Sequence, residues 1–144
     1  MRLIRIVAIV FGIYVALGLL FDAAIGYFQP HPGGTAVLRT FDSDGQPKDT
    51  VLGLLQDNGQ LWVESGHWFR GWYHRVLAHP EVELIRDGKA APYRAVPVDT
   101  PEAVDLVSRL MGKGKSGRYW VMRAMLLFAP IRPVRLDSRP PSQS

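Results

Sequence analysis

From Ile6 to Phe21 the chain reads IVAIVFGIYVALGLLF, without one charged side chain. With DAAIGYF behind it, this segment is long enough as a helix to cross a hydrocarbon core of ~30 Å, and its lone acid, Asp22, lies near one end. Three structures accept such a segment: an uncleaved anchor, a secretory signal, or a buried helix of a soluble core. Arg2 and Arg5 ahead of the apolar run suit the first two. A signal also needs small residues at a cleavage site, and the passable one here is the weak Ala24-Ile25-Gly26. Residues 1–28 are therefore expected to form a single-pass membrane anchor in contact with lipid, with Tyr27 and Phe28 in an interfacial aromatic belt. The cationic bias is small, since Arg2 and Arg5 precede the span and Arg39 and Lys48 follow it. It tilts weakly toward a domain outside the cytoplasm. The chain has no cysteine, which suits either side of a membrane.

QPHPGG, residues 29–34, has the prolines and glycines of a linker. The rest of the 144 residues supply one domain and not two. Short strands separated by turn signals follow: TAVLRTF, the turn DSDGQ, TVLGLLQ, the turn DNG, and QLWVES. GWYHRVLAHPEVEL, residues 71–84, then changes period. Trp72, Arg75 and Val76 fall at i, i+3 and i+4 with Tyr73 and Leu77 beside them, which predicts a helix of two to three turns ended by Pro80.

EVELI, an Asp87-Gly88 turn and PYRAVPV resume the strand pattern. Thr100-Pro101-Glu102 supplies a helix start, for a helix running to about Met111. RYWVMRAMLLFA predicts a second helix stopped by Pro130, RPVRLD a last strand, and residues 138–144 a disordered tail. The expected fold is α+β: a mostly antiparallel sheet over residues 35–137, curled into a small barrel to protect its edges, with flanking helices.

DGQPKDTVLGLLQDNGQLWVES, then Gly66, Arg70, WYHRVLAHPEVEL and the later PYRAVPV together resemble the nitroreductase/quinone reductase family of deazaflavin-dependent oxidoreductases. The resemblance covers about residues 44–98. It implies a split β-barrel related to the pyridoxamine-phosphate-oxidase-like flavin barrels, a deazaflavin coenzyme (FMN or no cofactor being the alternatives), and a quinone or nitroaromatic acceptor. By the same resemblance, cofactor anions meet Lys48 and the loop carrying Gly66, His67 and Arg70. Trp72 packs in the core or touches the ring, and Tyr73 with His74 polarises the substrate. Such barrels often pair, so a homodimer is one expected state. The region before the second strand is acidic here, with Asp42, Asp44 and Asp49 around Lys48, and the loop SGHWFRG is compact. An anionic cofactor then meets less positive potential than the family implies. Binding uses other residues, the cofactor differs, or it has been lost.

Other constellations carry less. His74 and His79 are five apart, ~140° around a helix, and no acid interleaves them with His67, so no metal site is expected. Gly114-Lys115-Ser116 has Arg109 where a nucleotide-binding loop needs its first glycine. Arg109, Lys113, Lys115 and Arg118 form a basic loop open to three readings: anionic lipid headgroups, a solvated turn, or a cofactor phosphate. VMRAMLLFAPI is too short to span a bilayer and reads as a helix on the barrel or, secondarily, at the membrane interface. A net charge of +4, partly beside the anchor, does not indicate nucleic-acid binding. No nucleophile with a local base and no paired carboxylates on one recognisable face appear, so hydrolytic chemistry is unsupported. Two functions remain: a membrane-anchored oxidoreductase, or a non-catalytic barrel that has lost its cofactor and holds a partner.

Overall fold

The computed structural model describes residues 1–28, 34–69, 71–115 and 117–140. The proposed linker, apart from Gly34, Arg70 and the last four tail residues lie outside them, as do the side chains of Tyr27 and Phe28. The chain runs α1 (Arg2–Phe28), β1 (Thr35–Phe41), β2 (Pro47–Gly53), β3 (Leu55–Asp57), β4 (Gln60–Ser65), α2 (Gly71–Ala78), β5 (Glu81–Arg86), β6 (Lys89–Pro97), α3 (Pro101–Leu110), α4 (Gly117–Met125) and β7 (Arg132–Ser138). It is an α+β fold. All strand pairings are antiparallel, in the order β2-β1-β5-β6-β7-β4-β3.

The connection between β2 and β3 forces the sheet to curl. These strands lie at opposite edges, yet only Leu54 separates them. Consecutive Cα atoms are ~3.8 Å apart, so the two edges meet within about 8 Å. TVLGLLQ, expected as one strand, is thus two, because the chain must leave one edge and join the other. The tight hairpins follow from their turn residues. Asn58-Gly59 has φ of 47° and 82° and Asp87-Gly88 has 49° and 73°, the left-handed pairs that match strand twist. In the β1–β2 turn, Asp42 Oδ1 accepts from the amides of Asp44 and Gln46 at 3.0 and 2.8 Å.

Alternation along β1 buries Ala36, Leu38 and Thr40. They join Leu61 and Val63 of β4, Val82 and Leu84 of β5, Ala95 of β6, and Val134 and Leu136 of β7 around the plug helix α2. α2 inserts Trp72, Tyr73 and Val76. Leu77, expected on this packing face, is 56% exposed instead: at 100° per residue it lies well to one side of the arc that the three buried residues define. Arg75 lies at the edge of the interior, and its Nε donates to Thr40 Oγ1 at 2.8 Å. Burial lowers the Arg75 pKa, against the pull of Asp42.

α3 covers the outer face. Thr100 caps it, accepting from Ala103 N at 3.3 Å, and Ala103 and Val107 pack on Trp62. α4 stops at Met125, four residues short of the expected Ala129. Phe128 N–H reaches Arg123 O and Leu127 N–H reaches Ala124 O, a terminating motif that turns Leu127 and Phe128 left-handed before Pro130.

Across β1 and β2, Arg39 holds Asp49 through Nε and Nη2 at 2.8 and 3.0 Å, with Glu83 of β5 at 3.4 Å. Hydrogen bonding to Arg39 lowers the Asp49 pKa in the folded state. A carboxylate so depressed adds stability above its unfolded pKa and loses it as pH falls through the folded value. Acid unfolding of Arg39→Gln should therefore show a shallower loss of stability below pH ~4 than the parent chain, by a small margin because the pair is exposed. Denaturant titrations across that window measure it.

Candidate functional site

An isolated carboxylate in an apolar helix is costly unless paired. Asp22 is 2% exposed and has two partners, both from the loop after β4. Its Oδ1 lies 2.6 Å from His67 Nδ1, and its Oδ2 accepts from Phe69 N–H at 3.2 Å. Other contacts bind α1 to α4 and the turn after it. Tyr14 donates its hydroxyl to Ala124 O at 2.5 Å, and Gly18 forms a notch for Leu127. A Cβ at Gly18 would stand 2.6 Å from Leu127 Cγ, so a side chain there displaces the contact. α1 is docked on the barrel through its second half, while most of its surface stays free: 6% of its apolar window is buried. By length and composition the span Arg2–Ala24 can cross a membrane.

The loop that Asp22 holds borders a cavity of about 350 Å³. β4 sends Leu61 and Val63 into the barrel and Trp62 to the outer packing layer. Glu64, on the same side as Trp62, and Gly66 meet Met111 from the end of α3 and Arg118, Tyr119, Met122, Arg123 and Leu126 from α4 and the residue after it. A Cβ on Gly66 would lie 2.7 Å from Glu64 Oε2, so a side chain there would move that carboxylate. Arg118 is exposed, whereas Arg123 is half-buried and donates through Nη1 to Ala129 O at 2.5 Å. The cavity thus combines methionine and aromatic walls with two guanidiniums and one carboxylate.

The residues singled out from sequence divide among four places. Gly66 lines the cavity, and His67 beside it is engaged by Asp22. Lys48 does not line it: it is half-exposed on β2, with Nζ 3.8 Å from Asp42 Oδ2. Trp72 and Tyr73 are 6% and 4% exposed inside the barrel, with the Arg132 guanidinium 5.8 Å from the Tyr73 ring centre. His74 is exposed on the other side of α2. Sequence reasoning missed Asp22, Tyr119, Met122 and Arg123. For Asp22 the signal was its isolation within an apolar run.

A curled antiparallel sheet plugged by one helix, with a cation-bearing cavity on its outer layer, is a split β-barrel. The chain belongs to the F420H(2)-dependent quinone reductase family, a family of oxidoreductases, whose pattern it matches over residues 22–126. That stretch holds Asp22 and every lining residue of the cavity. Solved structures of the same fold include a conserved hypothetical protein of Mycobacterium tuberculosis (21% identity, TM-score 0.57, covering 74% of this chain and 73% of the other). An F420-H2 dependent reductase, FDR-A, superposes with TM-score 0.57 at 17% identity over 73% and 95% of the two chains. A pyridoxamine 5'-phosphate oxidase-like protein of Listeria innocua gives 0.54 at 14% over 74% and 85%. A serine hydroxymethyltransferase of Deinococcus deserti is 37% identical over 70 residues, 46% of this chain but 17% of its own, so this chain spans a small part of that relative.

The family implies a deazaflavin, and the cavity fits part of one. Methionine and tyrosine walls and a glycine floor suit a flat ring, and two guanidiniums suit its anions. A volume of about 350 Å³ is at the small end for ligand sites and takes a ring without its full tail.

Removing the Asp22 carboxylate leaves a buried amide unpaired. Asp22→Ala should cost about 1–3 kcal/mol and open the loop. Chymotrypsin cleavage after Trp68 and Phe69 should accelerate, while Asp22→Asn, which keeps an acceptor for Phe69 N–H, should lie between variant and parent.

Proposed function

We propose that this protein is a membrane-anchored oxidoreductase that passes hydride or electrons from a bound deazaflavin to a quinone, with α1 as its single membrane span. One observation carries the reading: the loop bordering the cavity is bonded to Asp22 of the apolar helix, so the site stands beside the phase in which a lipid-soluble quinone dissolves. The coenzyme, when bound, supplies the hydride chemistry. Arg118 and Arg123 hold its anions, the part expected of Lys48, with Arg70 as a further candidate. Gly66 permits close approach, and His67 keeps the floor of the loop in place through Asp22. Trp72 and Tyr73 act from inside the barrel by fixing β4, and His74 remains a candidate for polarising an acceptor outside it. A nitroaromatic would be a second acceptor of the same kind. FMN in place of the deazaflavin would use the same cations.

A second reading, a non-catalytic barrel holding a partner at the membrane, is favoured by the charge of the walls. Glu64 lines the same cavity as the two arginines, and Lys48 lies 3.8 Å from Asp42.

Deazaflavin and FMN titrations of the full chain in detergent or nanodiscs separate the two. The oxidoreductase reading expects saturable binding, weakened about 10–100-fold in Arg118→Ala and Arg123→Ala, the cost of a charge-assisted contact. A chain indifferent to both coenzymes would leave the non-catalytic reading standing.

A further inference from the structure

The last turn of α4 adds two side-chain bonds, from Tyr14 of α1 and from Arg123, to its ordinary terminating motif. Its backbone is closed upon the protein. Met122 O accepts from Leu126 N–H, Arg123 O from Phe128 N–H and Leu126 O from Ala129 N–H. Ala124 O accepts from Leu127 N–H and also from the Tyr14 hydroxyl, and Ala129 O from Arg123 Nη1. Carbonyls satisfied in this way are compatible with hydrocarbon, which requires internal partners. The side chains show the opposite tendency. Trp120, Val121, Met125 and Phe128 are 54%, 61%, 40% and 54% exposed. The left-handed position after the helix, ordinarily glycine, is Leu127 with φ of 51°, a conformation costly for a branched side chain.

Position along α1 gives the depth. Tyr14 lies ~18 Å along the helix from Arg2 and ~15 Å from Ala24, the ends of the span, so the turn bonded to it is level with the middle of the apolar segment. Asp22 is near the end of that span, and the loop it holds exposes Trp68 and Phe69, aromatics at the level where a bilayer has its interface. Arg118, at the start of α4, is ~10 Å of helix away from Met125, and exposed Lys115 precedes it.

We propose that α4 and the 66–69 loop are seated in the lipid bilayer beside α1. Trp120, Val121, Met125 and Phe128 lie among acyl chains, Trp68 and Phe69 at the interface, and Lys115 on anionic headgroups. This rests on α1 being a membrane span. A wall of the cavity is then in contact with lipid, since Met122 belongs to both. A second copy is a poorer occupant: two copies inserted with the same topology would bring their Lys115–Arg118 rims to one bilayer level, where like charges repel.

The absence of cysteine makes single spin labels simple. Val10→Cys, Val121→Cys, Phe128→Cys and Glu102→Cys would each be labelled in the full chain and reconstituted in vesicles of zwitterionic and anionic phospholipid. Collision with oxygen and with a water-soluble nickel chelate is then measured. Positions 10, 121 and 128 should all lose nickel accessibility relative to position 102 and favour oxygen. If position 10 is in lipid while 121 and 128 collide with nickel as position 102 does, the seating is wrong and the anchor stands. If 121 and 128 are shielded from both reagents and show spin–spin broadening, a second copy covers the face and the seating is again wrong. Nickel access at position 10 would remove the anchor itself, and the seating with it.

Discussion

One buried carboxylate ties the molecule together. Asp22 is the only charge in the apolar run that α1 presents from Ile6 onward, and a charge there must be paired or expelled to water. It is paired with two groups of a single loop, His67 Nδ1 and Phe69 N–H. That loop follows β4, and β4 ends at the cavity floor, Gly66. The same helix gives Tyr14 and Gly18 to the end of α4, which forms the opposite cavity wall. Apolar helix, loop, floor and wall are therefore mutually positioned, and α1 is part of the architecture of the site instead of a tether attached to it.

Much of the barrel was legible in the sequence because local signals and global fold agree. β1 and β4 coincide with TAVLRTF and QLWVES, where alternating burial and left-handed turn residues set period and limits together. The errors occur where tertiary constraint overrides a local pattern. TVLGLLQ has the continuous apolar character of one strand, and only closure of the sheet breaks it at Leu54. RYWVMRAMLLFA is helical in pattern to its end, but the chain must return from α4 to β7, and the turn is made by Leu127 and Phe128, which carry no turn signal. Leu77 was misplaced by reading a helix face too widely.

The site was less legible, for a different physical reason. Sequence proximity and resemblance drew attention to residues 66–74, and the structure splits that stretch between cavity floor, clamp, barrel interior and exposed helix surface. The resemblance points to Lys48 on the β1–β2 hairpin, which lies beside Asp42 and away from the cavity. The cations at the cavity, Arg118 and Arg123, are contributed by α4, more than fifty residues along the chain from Gly66. No period or spacing connects the two segments. The connection is made by packing, through α3 on the outer face of β4 and α4 against α1.

α1 and the barrel form one body through the contacts of the helix's second half. A disulfide between Gly18→Cys and Leu127→Cys tests it directly, because a Cβ at position 18 would stand 2.6 Å from the Leu127 Cγ, close to where the sulfur of a cysteine at 127 would lie. Expressed in a membrane and oxidised mildly, the double variant should form the intramolecular disulfide readily and protect both thiols from maleimide. Thiols that stay free, or that bridge between chains, would show that α1 and α4 are apart and would contradict the account.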